Sequence, residues 1–446
     1  MKTSSTLTRG LGLREATALN MIDMVGIGPF VVLPLVIQTF GNMQFIFAWV
    51  AGAVLALLDG FIWAELGASM PAAGGSYTFL REAYGARKWG KLMSFLFIWQ
   101  TMIQAPLVVA SGSIGFAQYL SYIFPLTTLT QKIASGSLVL VLVALLYRKI
   151  TDVGKISVLL WIGVLGTLAW FIIGGLSHFD SRIAFASSNT EWNFSWAFFL
   201  ALGQGTVQTI YTYLGYYNVC HLGGEIKEPE KNIPRSIFIS IAGIAVLYLL
   251  MQFAVVGVIP LSEAQHSPFI VSTLIEKIYG HTAAVFATSL ILWIAFASLF
   301  AVILGYSRVP YAAAIDGNFF SVMGKVHPTK NFPHVSLLAL GATAFVFSLL
   351  FRLSEVIRAI LAMRILVQFI GGAIGVMVLR KRLGSEHLPY KMWLYPLPAL
   401  AAIVAWLSIL FSTGLNFALG GILVIAVGVV VFLARAKGKK EWPFEL

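Results

Sequence analysis

Apolar runs long enough to cross a lipid bilayer follow one another along almost the whole chain. A transmembrane helix needs about 20 predominantly apolar residues, and counting such runs predicts twelve spans. Only 11% of the 446 residues are charged, whereas a soluble domain carries about 25%. We therefore predict an all-α, multi-pass integral membrane protein. The spans lie near residues 15–39, 45–69, 92–122, 133–149, 155–176, 195–221, 235–259, 282–313, 335–351, 356–379, 393–411 and 415–434.

Two of these runs, the first and the sixth, are interrupted by glycine. The first break lies in residues 24–30 (MVGIGPF) and the second in residues 211–218 (YTYLGYYN). Unwound backbone at membrane depth is tolerated only where it lines a cavity or is buried in protein. A matched pair of broken helices is typical of the substrate site of a secondary transporter. Either break alone could also be a close-packing surface or a kink.

The two breaks divide the chain into matching units. Spans one to five and six to ten each open with a broken helix, and the second unit starts on the opposite side of the membrane, as in an inverted repeat. We place the first repeat and the N-terminal tail at 1–194, and the second repeat at 195–380. Spans eleven and twelve, with the C-terminal tail, occupy 381–446. No separate soluble domain is predicted.

The distribution of basic residues predicts the orientation, because Lys and Arg accumulate in cytoplasmic loops. With both termini inside, only five Lys and Arg fall in external loops, and Arg364 lies within a span. We therefore predict cytoplasmic termini and a location in a plasma or inner membrane. The net charge of +12 then faces anionic lipid, and no nucleic-acid partner is expected. The five external residues are Lys132, Arg182, Lys277, Arg352 and Arg358.

Motifs in three predicted cytoplasmic loops carry a family resemblance. They read AELG, PAAGGSY and EAYG within 64–85, GEIKEPEKNIPR at 224–235, and SRVPYA, DG and VHP within 307–328. In this order they resemble permeases of the amino acid–polyamine–organocation superfamily, most closely the L-amino-acid transporter branch. The resemblance covers the whole chain. It implies the leucine-transporter fold, here a 5+5 inverted repeat with discontinuous helices 1 and 6 and two extra helices, and alternating access.

The first break offers unpaired amides at the start of a half-helix. A helix N-terminus favours an anion such as a substrate carboxylate. The family motif usually reads Gly-Ser-Gly-Ile-Phe, so Ile27 removes a hydroxyl and Pro29 removes an amide from this carboxylate side. The amides expected to face the substrate are those of Gly26, Ile27, Gly28 and Phe30.

The second break offers carbonyls at the end of a half-helix. Their partial negative charge suits a substrate ammonium, and we assign this role to Tyr211, Thr212 and Leu214. The resemblance implies that Tyr211 is an aromatic gate over the substrate. It also places Gly215 and Tyr216 at the family's Gly-aromatic pair. Each tyrosine could instead simply pack or anchor near an interface.

Three charged side chains lie within or beside predicted spans, where a charge costs roughly 2.5–3.5 kcal/mol and indicates function. Asp23 beside the first break could accept a proton, attract a cationic substrate, cap unwound backbone or pair with a basic residue. Asp59 lies inside the second span, and an Asp59–Arg364 ion pair is conceivable. Other charges at predicted cytoplasmic helix ends are interpreted as solvated rather than as gate salt bridges. They are Glu65, Glu82, Glu225, Arg235 and Arg308.

The coupling ion is left open between H⁺ and Na⁺. Many proton-linked or sodium-independent relatives carry a lysine midway along the fifth helix, and Val164 stands there in this chain. Ser298 matches the eighth-helix hydroxyl near the sodium site of relatives, although a helix serine often bonds its own backbone. Beyond that ion, no cofactor or metal site is predicted.

We therefore predict a secondary active transporter of amino acids, ion-coupled or exchanging. A polyamine permease for putrescine-like or spermidine-like substrates is the alternative, because Asp23 upstream of a Gly-Pro-aromatic break resembles the polyamine-uptake branch. A receptor that binds amino acids without transporting them is the alternative from another class. The chain lacks a nucleophile elbow and a phosphate loop, so no enzyme is predicted. Cys220 is predicted inward, so no disulfide-linked partner is expected.

Overall fold

The computed structural model describes residues 7–185, 194–350, 360–386 and 388–444. These residues form helices joined by loops, and the only strand-like pairings among them are two isolated bridges. The first group of helices is α1 Leu13–Met24, α2 Gly28–Phe40, α3 Ile46–Ser69, α4 Ser76–Ala83, α5 Trp89–Ile123, α6 Thr128–Leu146, α7 Ile150–Ser177, α8 Ser181–Ala184, α9 Trp196–Tyr213 and α10 Asn218–His221. The second is α11 Pro229–Val256, α12 Leu261–Ala264, α13 Ile270–Tyr279, α14 His281–Tyr306, α15 Arg308–Ile315, α16 His334–Leu350, α17 Ile360–Leu383, α18 Leu397–Ser412 and α19 Leu415–Lys439.

Many of these helices are long and apolar enough to cross a membrane. Within the described ranges there are eight such helices, and α1 and α2, bent by 44° at their break, count together as a ninth. Helices α16 and α18 are apolar but shorter, and the sixth predicted span corresponds to α9 and α10. Large apolar side chains cover the outside, with Phe411 76% and Val430 66% exposed, as expected where lipid replaces water. The chain is an integral multi-pass membrane protein.

Both predicted helix breaks are present, and the local sequence explains each. Helix α1 ends at Met24 and α2 begins at Gly28, with Pro29 at an early helical position that needs no amide donor. Helix α9 ends at Tyr213, and the chain then turns through Gly215, whose φ of +128° is disfavoured for residues with a β-carbon. The two breaks therefore leave backbone polar groups unpaired inside the bundle.

The broken helices occupy the centre of the bundle. Helix α1 packs against α7, α11 and α14, while α2 packs against α9. The hydroxyl of Tyr248 in α11 lies 2.8 Å from the carbonyl oxygen of Met24 and 3.2 Å from that of Thr212, so it can donate to either. One buried side chain of α11 thus contacts the backbone of both breaks.

One end of the bundle, here called the terminal end, brings the start of the described chain to the segment after α10. The amides of Gly10 and Leu11 donate to the carbonyl of Glu225, and the amide of Lys227 donates to the carbonyl of Leu11 at 2.7 Å. Near the other terminus, Arg435 donates to the carbonyls of Gly317 and Asn318 in the loop after α15. These contacts tie both termini to the loops that carry the family motifs.

The interpretation of the charges at this end as solvated is wrong for three of the five. Arg308 donates from Nη2 to Oε1 of Glu225 at 2.8 Å and from Nε to Oε2 at 2.9 Å, with both side chains buried. Glu65 is also buried and accepts two bonds from Arg380. Each carboxylate can therefore be buried because a guanidinium binds both its oxygens. Arg235 is exposed, as expected, and Glu82 is partly exposed.

Candidate functional site

A cavity of about 70 Å³ lies between the two helix breaks. Both breaks contribute to its wall, and helices α5, α14 and α17 close it. From the breaks, the lining residues are Asp23, Met24, Gly26, Ile27, Gly28, Tyr211, Thr212, Leu214, Gly215 and Tyr217. From the surrounding helices, they are Val108, Gly112, Ser298, Leu299, Val302, Tyr306 and Arg364.

The first break presents its amides without acceptors. Among the described residues, no hydrogen-bond acceptor is found for the amides of Gly26, Ile27, Gly28 and Phe30, and the first bond of α2 runs from Val31 to Ile27. These donors mark the start of α2, where the helix dipole adds positive potential. The first break is thus equipped to bind an anionic group.

Two glycines of the first break lie against the rest of the cavity wall. A β-carbon on Gly26 would stand 2.8 Å from the hydroxyl oxygen of Ser298. One on Gly28 would stand 3.5 Å from the ring of Tyr211, and this ring reaches across to Ser111 in α5, with 3.3 Å between the two hydroxyl oxygens. Tyr211 therefore covers the first break from the side of α9.

The second break presents carbonyl oxygens. Among the described residues, the carbonyls of Tyr211 and Leu214 accept no hydrogen bond, whereas the carbonyl of Thr212 lies within hydrogen-bonding reach of Tyr248. Because a carbonyl has two lone pairs, Thr212 can still accept another donor. The end of α9 thus carries partial negative charge beside the cavity.

Asp23 faces the cavity from the end of α1. Its carboxylate makes no hydrogen bond or ion pair within the described part of the chain. Its backbone carbonyl, in contrast, accepts a bond of 3.2 Å from the hydroxyl of Ser298. The side chain therefore neither caps the unwound backbone nor pairs with a basic residue, which are two of the roles considered for it.

Arg364 enters the cavity wall from α17 and is only 2% exposed. Its Nε donates to Gln368 at 2.9 Å and its Nη2 donates to the hydroxyl of Tyr217. The guanidinium carbon also lies 5.0 Å from the ring centre of Tyr217 and 5.9 Å from that of Tyr306. Residues 365–370 directly after it form a π-helical turn, a feature that is frequent at functional sites.

The conceivable Asp59–Arg364 ion pair is not formed. Asp59 is fully buried and accepts from Trp63 at 2.5 Å, from Tyr216 at 2.6 Å and from Trp406 at 3.2 Å. These donors belong to α3, to the second break and to α18. Asp59 thus links three elements and lies outside the cavity wall.

Most residues assigned to the site from the sequence line the cavity, and their roles toward a substrate stay predictions. The side chain of Phe30 is buried in the core, although its amide is unpaired, and Tyr216 turns toward Asp59. Sequence reasoning did not assign Arg364, Tyr217 or Tyr306 to this site. Two of them carried a signal: Arg364, because a charge inside an apolar span indicates function, and Tyr217, because it lies within the second break.

Sequence comparison places the chain in a family. A family model described as amino acid permease matches residues 11–434. The serine/threonine exchanger SteT of Bacillus subtilis (strain 168) is 26% identical over 97% of this chain and 98% of SteT. The Asc-type amino acid transporter 1 of Mus musculus is 26% identical over 96% of this chain and 81% of its own length. The cystine/glutamate transporter of Homo sapiens is 24% identical, with coverage of 94% and 83%.

Two solved transporter structures share the fold. An outward-open Na⁺-coupled sialic acid symporter matches with a TM-score of 0.59 over 92% of this chain and 93% of its own. Mhp1, a nucleobase-cation-symport-1 family transporter in a closed conformation, matches with a TM-score of 0.58 over 98% and 96%. At 14% identity each shows the fold alone, which is of the leucine-transporter type. The chain belongs to the amino acid permease family and is a secondary transporter of amino acids, not an enzyme.

Proposed function

We propose that the cavity between the two helix breaks binds the amino acid that is transported. The supporting observation is the placement of unpaired amides at the start of α2 and unpaired carbonyls at the end of α9 around one cavity. A carboxylate pairs with the amides of Gly26, Ile27 and Gly28, and an ammonium pairs with the carbonyls of Tyr211 and Leu214. Tyr211 then acts as the gate over the bound substrate.

The size of the cavity favours a small amino acid. A water molecule needs roughly 10–15 Å³ of such volume, so 70 Å³ corresponds to roughly five to seven water molecules, which is comparable to the non-hydrogen atoms of alanine. Val108, Leu299 and Val302 bound the cavity with apolar groups. These side chains leave little room for a long or branched substrate side chain.

Transport follows from rocking of one group of helices against the rest. We assign α1 to α3 and α9 to α11 to the moving bundle, with Gly26, Gly28 and Gly215 permitting the bends. The buried Glu225–Arg308 pair closes the terminal end and must separate when that end opens. In this mechanism the protein has twelve spans, with two inverted repeats of five at 1–194 and 195–380 and two additional spans in 381–446. Both termini are cytoplasmic, and the membrane is a plasma or inner membrane.

Sodium and protons are the candidate coupling ions, and exchange without an ion is the third mode. Ser298 favours a sodium site, because its hydroxyl already bridges α14 to the carbonyl of Asp23 and an alkali cation binds the same kinds of oxygen. Asp23 is the candidate for proton binding. Sodium coupling and proton coupling are distinguished by measuring uptake with an inward sodium gradient or with an inward proton gradient.

Polyamine uptake remains the alternative, and one observation favours it. The carboxylate of Asp23 is unpaired and faces the cavity, as a site for a cation requires. Arg364 lines the same cavity, however, and its permanent positive charge opposes a dication. A receptor without transport would bind the same amino acid in the same cavity.

Uptake of labelled alanine, leucine, arginine and spermidine into proteoliposomes tests the proposal. Accumulation of alanine above leucine is expected, since the cavity is small. Uptake of spermidine alone would favour the polyamine function, and binding of alanine without uptake would favour the receptor. Each assay is repeated with an inward sodium gradient, with an inward proton gradient, and with vesicles preloaded with unlabelled alanine, so that the three coupling modes are distinguished.

A further inference from the structure

Two opposite charges face the substrate cavity without touching each other. Asp23 lies at the end of α1 and Arg364 in α17, and they are the only ionic side chains that line the cavity formed by the described residues. They are near enough to interact electrostatically, but no salt bridge joins them among the described ion pairs. A charge buried in protein is normally paired, so two facing charges left apart indicate space for a charged ligand.

The carboxylate of Asp23 is the more open of the two groups. It has no partner in the described chain. It lies beside the second break, because a β-carbon on Gly215 would stand 2.9 Å from its Cγ. The negative potential of this carboxylate therefore adds to that of the unpaired carbonyls at the end of α9.

Arg364 keeps one nitrogen available. Nε and Nη2 donate to Gln368 and Tyr217, while Nη1 has no acceptor among the residues described. The bonds and the two tyrosine rings hold the guanidinium in place without neutralising it, because none of these partners is a carboxylate. Asp59 does not neutralise the guanidinium of Arg364 through an ion pair, since both carboxylate oxygens of Asp59 accept hydrogen bonds from other residues.

We infer that Asp23 and Arg364 set the net charge of the ligand that this cavity accepts, and that they select a zwitterion. When Asp23 is ionised, the cavity carries one charge of each sign and is electrically balanced, so a ligand of net charge zero with separated ends gains from both residues. A cation is repelled by Arg364 and an anion by Asp23. This inference deepens the proposed amino-acid binding and rests on it.

Three ligands of nearly the same size test the inference at pH 6.5: alanine as the zwitterion, alaninamide as the cation and lactate as the anion. Their ability to displace labelled alanine is measured on purified protein. Wild type should prefer alanine to both. Arg364→Gln should move the preference toward alaninamide, and Asp23→Asn toward lactate, each by on the order of tenfold, because charges interact more strongly in the low dielectric of a protein interior than in water.

The double variant Asp23→Asn with Arg364→Gln distinguishes an effect of charge on ligand preference from an effect of side-chain shape. It removes both charges, so it should again rank alanine above the two charged analogues, although with weaker binding. Arg364→Lys keeps the charge and loses the hydrogen bonds, so it should keep the wild-type ranking. Thermal unfolding of each variant, followed in detergent, shows which of them are folded and can be ranked.

The inference is overturned if either folded single variant keeps the wild-type ranking. An unchanged ranking in Asp23→Asn would mean that Asp23 presents no charge to the ligand. If wild-type protein binds none of the three ligands while it takes up another substrate, the proposed small-amino-acid site itself fails. If alanine binds but the variants keep the wild-type ranking, the proposed amino-acid site is retained and only the charge selection is rejected.

Discussion

Gly215 lies so close to Asp23 that a β-carbon on the glycine would stand 2.9 Å from the Cγ of the aspartate. The same β-carbon would stand 2.8 Å from the backbone nitrogen of Met24. The two broken helices therefore meet backbone to backbone at this point. A bend in one of them changes the position of the other, and both bound the cavity.

Gly215→Ala should abolish uptake. The φ of +128° is strained for alanine, and the new β-carbon would collide with backbone, which cannot move aside as the end of a flexible side chain does. Gly41→Ala is the matched control, because Gly41 has a φ of +69° with no atom within 4 Å of the added carbon. The control should lose about 1–2 kcal/mol of stability and keep uptake. Equal uptake by the two variants would contradict the contact between the breaks.

Substitutions at Gly28 should show a graded effect. A β-carbon there would make ordinary contact, at 3.4 Å from Thr212 and 3.5 Å from the ring of Tyr211. Gly28→Ala should therefore retain uptake with a raised KM, whereas the γ-methyls of Gly28→Val enter the cavity and should abolish uptake. The protein should still insert and purify normally in both cases. Normal uptake by the valine variant would remove Gly28 from the substrate site.

The sequence predicted the positions of both breaks because each is encoded locally. Gly26, Gly28 and Pro29 interrupt one apolar run and Gly215 interrupts the other, and a backbone constraint of this kind needs no knowledge of distant residues. Composition likewise predicted the membrane class. What these local signals could not show is which side chains from other helices complete the cavity.

The errors concern contacts between distant segments. Glu225 and Arg308 look like ordinary charges at helix ends, and nothing in their neighbouring residues shows that they bind each other in a buried pair. Tyr216 lies within the second break, and nothing in its neighbouring residues shows that its hydroxyl donates to Asp59. Arg364 was recognised as an intramembrane charge, but its contacts with Tyr217 and Tyr306 in the cavity wall join segments that are distant in the sequence.

Asp59 should contribute to stability and not to substrate recognition. In Asp59→Asn the amide nitrogen would face a donor, leaving buried N–H groups on both sides unsatisfied at about 1–3 kcal/mol each. Trp406→Phe should cost less, since it removes one bond of 3.2 Å and can keep the ring stacking on Phe369 at 4.0 Å. Thermal unfolding measures the loss of stability in both variants. A large change in alanine KM for folded Asp59→Asn would instead place Asp59 in the transport mechanism.

The Glu225–Arg308 pair should hold the terminal end closed. Breaking a buried pair leaves an uncompensated charge and costs about 3–5 kcal/mol, so Glu225→Gln should populate forms open at this end. Cysteine labelling can detect the opening, at a new cysteine placed at Ala312 in a Cys220→Ser background. Glu228→Gln is the control, because Glu228 pairs with Lys231 on the surface. The side chain of Glu228 is 72% exposed and that of Lys231 is 66% exposed. Equal labelling in the two variants would show that the buried pair is no gate.

An experimental structure of the protein with its transported amino acid bound would locate the substrate site. Ligand density is expected in the cavity between Gly28 and Gly215, with the carboxylate at the amides of the first break and the ammonium beside Asp23 and the carbonyl of Leu214. Density at any other place in the bundle, with this cavity empty, would contradict the assignment of the substrate site.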